Sequence, residues 1–174
     1  MNDGLPSPDK CLEFLRNLGC SDSVINHSLA VRDVAVSIAK KANANVELVE
    51  VGALLHDIGR CKTHDIFHAV EGVKIAKRLG LPISIVNIIE RHIGAGLSKE
   101  EAEKLGLPVK DYIPETLEEK IVCHADNLID NSQRQNIKKE VERAIFDNHE
   151  EYALRLNRLH KELCEICNMD INDI

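Results

Sequence analysis

Apolar residues recur along this chain at helical spacing rather than at the every-second-residue spacing of a strand, through almost its whole length. Pro6 and Pro8 precede a short helix, about Pro8 to Leu18, that Gly19 closes. Ser21 or Asp22 caps a longer helix reaching about Ala42. On it Ala30, Val31, Val34, Ala35, Ile38 and Ala39 form one stripe, with His27 at its upper end. Asn45 caps the next helix, about Val46 to Ile58, which stops at Gly59. A polar loop over 59–66 leads to a helix from about Phe67 to Leu79. Gly80-Leu81-Pro82 ends that helix and starts another, which runs to about Ile93 and closes on Gly94.

Ser98 caps a short helix ending at Gly106-Leu107-Pro108, and 108–116 reads as an extended loop. A helix from about Leu117 to Asn131 follows. The stretch from about Gln135 to Cys167 is one long helix or two, with a break near Asp147-Asn148. No repeat, low-complexity segment or linker interrupts the pattern. The expectation is an all-α, single-domain helical bundle over 1–174.

Composition agrees. A chain of 174 residues builds one domain with a real core. Its aromatic content is 3% with no Trp, so that core is made of Leu, Ile, Val and Ala. The net charge of −7, without a basic stripe, argues against extended nucleic acid as a partner. No apolar run approaches the roughly 20 residues that span a bilayer, and the first residues lack the pattern of a secretory signal. The expected location is the cytoplasm, with no membrane partner and with six reduced cysteines. Cys164 and Cys167 form a CxxC on one helical face, and core packing is the favoured reading of it.

Placement of the eight histidines changes this bland picture. His56 and Asp57 close the apolar run Val-Gly-Ala-Leu-Leu, where burial of an imidazole and a carboxylate needs compensation. His27 continues the stripe of its helix, and His68 stands above Gly72, Ile75, Ala76 and Leu79. His92 follows Ile85, Ile88 and Ile89, while Asp126 sits among Val122, Ala125 and Ile129. Five helices each aim a ligand-type side chain inward. A shared metal centre explains that better than five separate buried polar residues.

The order His27, His56-Asp57, Asp126 resembles the H…HD…D signature of the HD superfamily of metal-dependent phosphohydrolases, over roughly 22–131. His56-Asp57-Ile58-Gly59-Arg60 matches its HDIG variant, and His124-Ala125-Asp126 is similar to its alanine-aspartate ending. The segments around His68 and His92 are similar to the extra histidine motifs of multi-metal members. The resemblance implies a first metal on His27, His56, Asp57 and Asp126. It implies a second on His68 and His92, with Asp57 as bridge. One or two divalent transition metals (Fe, Mn, Co, Ni or Zn) suit such ligands.

Bound there, a metal lowers the pKa of its water toward neutrality and so supplies a hydroxide nucleophile. Asp57 and Arg60 take the catalytic roles in this reading. Many relatives carry Lys after HDIG; Arg60 cannot give up its proton and is cast as a phosphate clamp. Lys62 and His64 are weaker candidates for substrate contact. His124, two residues from Asp126, points away as a supporting residue, and His149, His160, Glu71 and Glu90 belong to the surface. The 59–66 loop and the 94–116 region are the expected pocket walls.

The first expectation is hydrolysis of a phosphomonoester or phosphoanhydride in a small nucleotide-like metabolite. A phosphodiesterase on a cyclic nucleotide or dinucleotide stands beside it. The Tyr-Pro extension of cyclic-di-GMP relatives is missing, since Ile-Gly-Ala-Gly-Leu97 follows His92. A nucleotide- or metal-binding regulator and an interaction protein stay open, the latter because the acidic last helix offers a face for a homodimer.

Overall fold

The computed structural model describes residues 4–174. Side-chain caps start most of its helices. Ser7 accepts from the Lys10 amide before α1 (Pro8–Asn17), and Ser21 from Val24 before α2 (Asp22–Ala42). Asn45 does the same for α3 (Val46–Leu55). The helices α4 (His68–Arg78) and α5 (Ile83–Arg91) follow. Ser98 and Glu101 form a reciprocal capping box at α6 (Lys99–Lys104), and Thr116 caps α7 (Leu117–Asn127). Asn136 caps α8 (Ile137–Phe146), and α9 (Glu150–Cys167) closes on Asn168 in the left-handed region.

Two boundaries differ from the expected ones. α3 stops at Leu55 rather than Ile58; Asp57 leaves helical geometry at φ −97°, ψ 16°, and Ile58–Cys61 tighten into a 3-10 turn. That break swings Asp57 away from the track of the helix. α7 stops at Asn127, because Ile129–Asp130 (β1) turn back through Asn131, at φ 57°, to pair antiparallel with Gln133–Arg134 (β2). The last stretch is two helices, α8 and α9, parted at Asn148, at φ 60°, where the break near Asp147-Asn148 was expected.

α2 packs on α3 and α7, and α4 packs on α5 and on the 3-10 turn. The core is aliphatic, with Leu15, Ile38, Leu54, Leu55, Ile88, Ile89, Ile121 and Leu156 sealed from solvent. Of the glycines, Gly59 permits the tightest backbone approach. A Cβ there would lie 1.8 Å from the His68 carbonyl oxygen and 2.6 Å from the Gly72 nitrogen. Any side chain at 59 forces the turn off the start of α4, and so separates Asp57 from His68. Among the described residues, no helix is long and apolar enough to cross a membrane.

Candidate metal centre

All six expected ligands meet in one buried cluster. α2 brings His27, the end of α3 brings His56 and Asp57, α4 brings His68, the end of α5 brings His92, and α7 brings Asp126. His56, Asp57, His68 and His92 are buried, while His27 and Asp126 form the rim.

A shared backbone device orients the imidazoles. His56 Nδ1 lies 2.7 Å from the Ala53 carbonyl, His68 Nδ1 2.6 Å from Asp65, and His92 Nδ1 2.7 Å from Ile89. His27 Nδ1 reaches the Asn131 carbonyl at 2.5 Å across the hairpin turn. Each Nδ1–H donates to a carbonyl, so each Nε2 lone pair faces inward, as an imidazole ligand requires.

Asp57 turns its two oxygens to two different groups. Oδ1 lies 3.3 Å from His68 Nε2 and 3.3 Å from His92 Nε2. Oδ2 lies 3.7 Å from His56 Nε2 and 3.9 Å from His27 Nε2. Asp126 Oδ1 completes the second group, at 2.9 Å from His27 Nε2 and 3.6 Å from His56 Nε2.

These residues fit a metal on internal grounds. His56 Nε2 and Asp57 Oδ1 are buried without any hydrogen-bond partner. His68 Nε2 and His92 Nε2 face each other at 3.0 Å, although both rings already donate from Nδ1. Two lone pairs at that distance repel unless a proton or a metal cation lies between them. The side-chain set divides into His27/His56/Asp57, His56/His92/Asp126 and Asp57/His68/His92, each with ligand atoms close enough to share one ion.

Electrostatics run the same way. Burial pushes the His56 imidazole down, but the Asp57 and Asp126 carboxylates overcome it and hold it at about 9. Burial raises Asp57 and Asp126, yet the surrounding imidazoles keep both well below the usual carboxylate range. His68 has the opposite fate: burial, and then the adjacent His92, lower it to about 4. The two carboxylates draw positive charge into the cluster.

Arg60 has a part beyond the expected one. Its Nε donates to Asp57 Oδ2 at 2.6 Å and its Nη1 to the His64 carbonyl at 3.3 Å. Arg60 therefore holds Asp57 first, and only what remains of its guanidinium faces outward. A mouth of about 330 Å³ opens over the cluster, lined by Ser23, His27, Asp57, Arg60, His64 and Asn131 among others. His64 is at this mouth; Lys62 is exposed and outside its lining. The hairpin turn forms the opposite wall, in place of the 94–116 region. Part of that region lines a separate apolar hollow of about 560 Å³ with Ile66, Ile93, Leu97, Leu105 and Tyr152.

Other side chains sort as follows. Glu71 pairs with Lys74 and Glu90 with Lys110, as surface carboxylates do. His149 is exposed. His160 is not a surface residue: its side chain is 15% exposed, and its Nδ1 lies 2.9 Å from Nε2 of fully buried His124. Asn131 was not singled out by the sequence, because it acts through its main-chain carbonyl. A buried polar group was also missed, Glu119, with its half-buried partner Arg91, whose guanidinium donates to it at 2.9 Å and ties α5 to α7.

A helical frame that brings histidines and aspartates from five helices to one buried point defines a metal-binding class of protein. The HD domain family's sequence profile matches residues 24–131, and the chain belongs to that family. It is 47% identical over 170 residues to a protein of Picrophilus torridus named tRNA (cytidine(56)-2'-O)-methyltransferase, covering 98% of this chain and 50% of that protein. The chain thus spans about half the length of the first curated relatives it matches. Ribonuclease Y of Petrotoga mobilis is 36% identical over 101 residues, 53% of this chain and 19% of that one. The HD domain of the L. monocytogenes phosphodiesterase PgpH superposes with a TM-score of 0.55 at 20% identity, over 89% of this chain and 97% of that one. The same domain solved with cyclic-di-AMP gives a TM-score of 0.56 at 21% identity, over 88% and 96%.

Proposed function

We propose that this chain is a metal-dependent phosphohydrolase that cleaves a phosphodiester in a nucleotide-derived substrate. The observation that carries the reading is the facing pair His68 Nε2 and His92 Nε2, both 3.3 Å from the buried Oδ1 of Asp57. Those three would hold one divalent metal. His27, His56, Asp126 and the other oxygen of Asp57 would hold a second. Such metals supply a nucleophile from water at neutral pH and draw charge from the phosphoryl oxygens. Arg60 Nε fixes Asp57 between the two groups, and the Asn131 carbonyl fixes the His27 ring. His64 and the free edge of Arg60 face the mouth, where they bind phosphate oxygens. The apolar packing of α2, α3 and α7 beneath keeps bulk water from the far side.

Of the two substrate classes left open by the sequence, the diester is favoured over the monoester or anhydride. An open mouth with polar walls on both sides leaves room for a substituent on each side of the phosphorus. A ribonuclease among the relatives and a phosphodiesterase among the fold neighbours point the same way. The same reading takes the chain as one domain, because the main apolar cluster runs from Cys11 to Ile171. A second reading, a metal- or nucleotide-binding regulator, is favoured by one observation. In the Picrophilus relative, a protein named for methyl transfer, the matching part is half the length.

Metal-reconstituted protein tested on bis(p-nitrophenyl) phosphate and p-nitrophenyl phosphate separates these readings. Next come linear and cyclic dinucleotides, cyclic mononucleotides and nucleoside monophosphates. Tenfold or greater preference for diesters is expected. Turnover of monoesters alone sinks the diester reading, and binding without turnover under Mn, Fe, Co, Ni and Zn supports the regulator.

A further inference from the structure

At the C-terminal end of α9, a second group of ligand-type atoms converges with no part in the centre described above. His160 and Cys164 stand four residues apart on one face of the helix, and Asp170 follows just after its end. His160 Nε2 lies 3.5 Å from Cys164 Sγ and 3.4 Å from Asp170 Oδ1, and Sγ lies 4.0 Å from Oδ1. A tetrahedral ion with bonds of about 2.0–2.3 Å to N, O and S has edges of about 3.3–3.8 Å between its ligands. Two edges match, and the third closes by a small turn of the Asp170 side chain, which is 58% exposed and whose Oδ1 also accepts from the Asn172 backbone amide at 2.9 Å as the cap of the 3-10 turn.

The hydrogen bonds show which way the lone pairs point. Asn172 Oδ1 accepts from the Ile137 amide at 3.0 Å, which fixes its NH2 toward the cluster. Asn172 Nδ2 then donates to His160 Nε2 at 3.2 Å and to Asp170 Oδ1 at 2.9 Å. His160 Nε2 is thus an acceptor, and its Nδ1–H donates to His124 Nε2 at 2.9 Å. The Ile171 amide approaches Cys164 Sγ at 3.5 Å. Acceptors from α9 and from the segment after it meet on N–H donors of that same segment, where a cation would satisfy them all. Buried His124 plays the orienting part that a carboxylate or carbonyl plays behind an imidazole ligand.

We propose that His160 Nε2, Cys164 Sγ and Asp170 Oδ1 form a separate site for a borderline-soft divalent cation of the zinc type, with water in the fourth position. Binding forms a metal–sulfur bond as the Cys164 thiol releases its proton to solvent, and the ion takes the place of the Asn172 Nδ2 hydrogen bonds to His160 Nε2 and Asp170 Oδ1. The ion ties the 3-10 turn Ile171–Asp173 to α9. Because Arg134 Nη2 donates to the Ile171 carbonyl at 2.6 Å, it also steadies the hairpin that walls the mouth. Mixed thiolate and imidazole ligation sets this site apart from the oxygen- and nitrogen-only first centre.

Cobalt(II) titration of the metal-free full chain tests this by the near-ultraviolet sulfur-to-cobalt charge-transfer band. One equivalent of that band is expected, retained in Asp57→Ala, abolished in Cys164→Ser, and requiring at least tenfold more cobalt in Asp170→Asn. Zinc should compete it away and should raise the Tm of Asp57→Ala but not of Asp57→Ala/Cys164→Ser. No band, or a band that survives Cys164→Ser, overturns the site. Should Cys164→Ser fail to fold, Asp170→Asn decides alone, since Asn keeps the side-chain oxygen that caps the 3-10 turn while losing the charge. An unshifted titration in that variant then counts against the proposal.

Discussion

Helix α7 carries His124 and Asp126 two residues apart, and each joins a different imidazole group. Asp126 faces His27 and His56, with Asp57 beside them. His124 faces only His160, with no carboxylate against its own ring. Burial pushes both buried histidines down. Around His56 the carboxylates reverse that and hold it at about 9, whereas His124 falls to about 3, helped by His160 and Arg134. Equal burial with opposite outcomes shows that the carboxylates decide where positive charge is retained. The carboxylates of the first cluster favour positive charge, whereas burial keeps His124 neutral, able to accept a hydrogen bond from His160.

The largest effect should come from the residue that makes the two clusters different. Asp57→Ala removes both oxygens that face the four imidazoles. Hydrolysis should fall on the order of 10³-fold or more, and elemental analysis should find the first centre without metal. Full activity in that variant would sink the assignment. His92→Ala and His68→Ala each remove one of the facing Nε2 atoms. Each should lower the metal content by one ion and the rate by about 10–100-fold. Unchanged metal and rate in both would make those histidines structural.

Arg60→Ala sharpens the contrast, because nothing like Arg60 stands behind His124. Losing the 2.6 Å bond to Asp57 Oδ2 should lower kcat by about 10–100-fold with the metal still bound. A rise in KM with kcat untouched would return Arg60 to the part of a phosphate clamp. Gly59→Ala tests the frame rather than the chemistry. A methyl 1.8 Å from the His68 carbonyl oxygen cannot be accommodated. Unfolding stability should drop by about 2–4 kcal/mol, with metal affinity falling in parallel as His68 shifts from Asp57.

The convergence of the candidate ligands was legible because each sits on a helix whose apolar period says which way it points. His27, His68, His92 and Asp126 all continue stripes that the structure buries. What orients them was not legible, because carbonyls of Ala53, Asp65, Ile89 and Asn131 carry no side-chain signature. The hairpin escaped since strands of two residues have no period to read, and it removed the last turn of α7. His160 was placed on the surface because a helical stripe shows what faces inward without naming a partner 36 residues away. The bond between Arg60 and Asp57 had a signal, a spacing of three, hidden by expecting α3 to continue through Ile58.

The smallest change in rate should follow from the other side of the comparison. His124→Leu keeps a similar volume in a fully buried position but leaves His160 Nδ1 without its acceptor. Loss of one buried hydrogen bond costs about 1–3 kcal/mol. Part is regained, because the buried His124 Nδ1 lacks a partner and would be removed with the ring. The Tm should therefore fall modestly while the first centre, on the far face of α7, keeps its metal and its rate within about threefold, since sites without shared partners add independently. A tenfold loss of hydrolysis with metal content intact would mean that the two faces of α7 are coupled, and that the neutral pair tunes the charged cluster instead of merely sharing its helix.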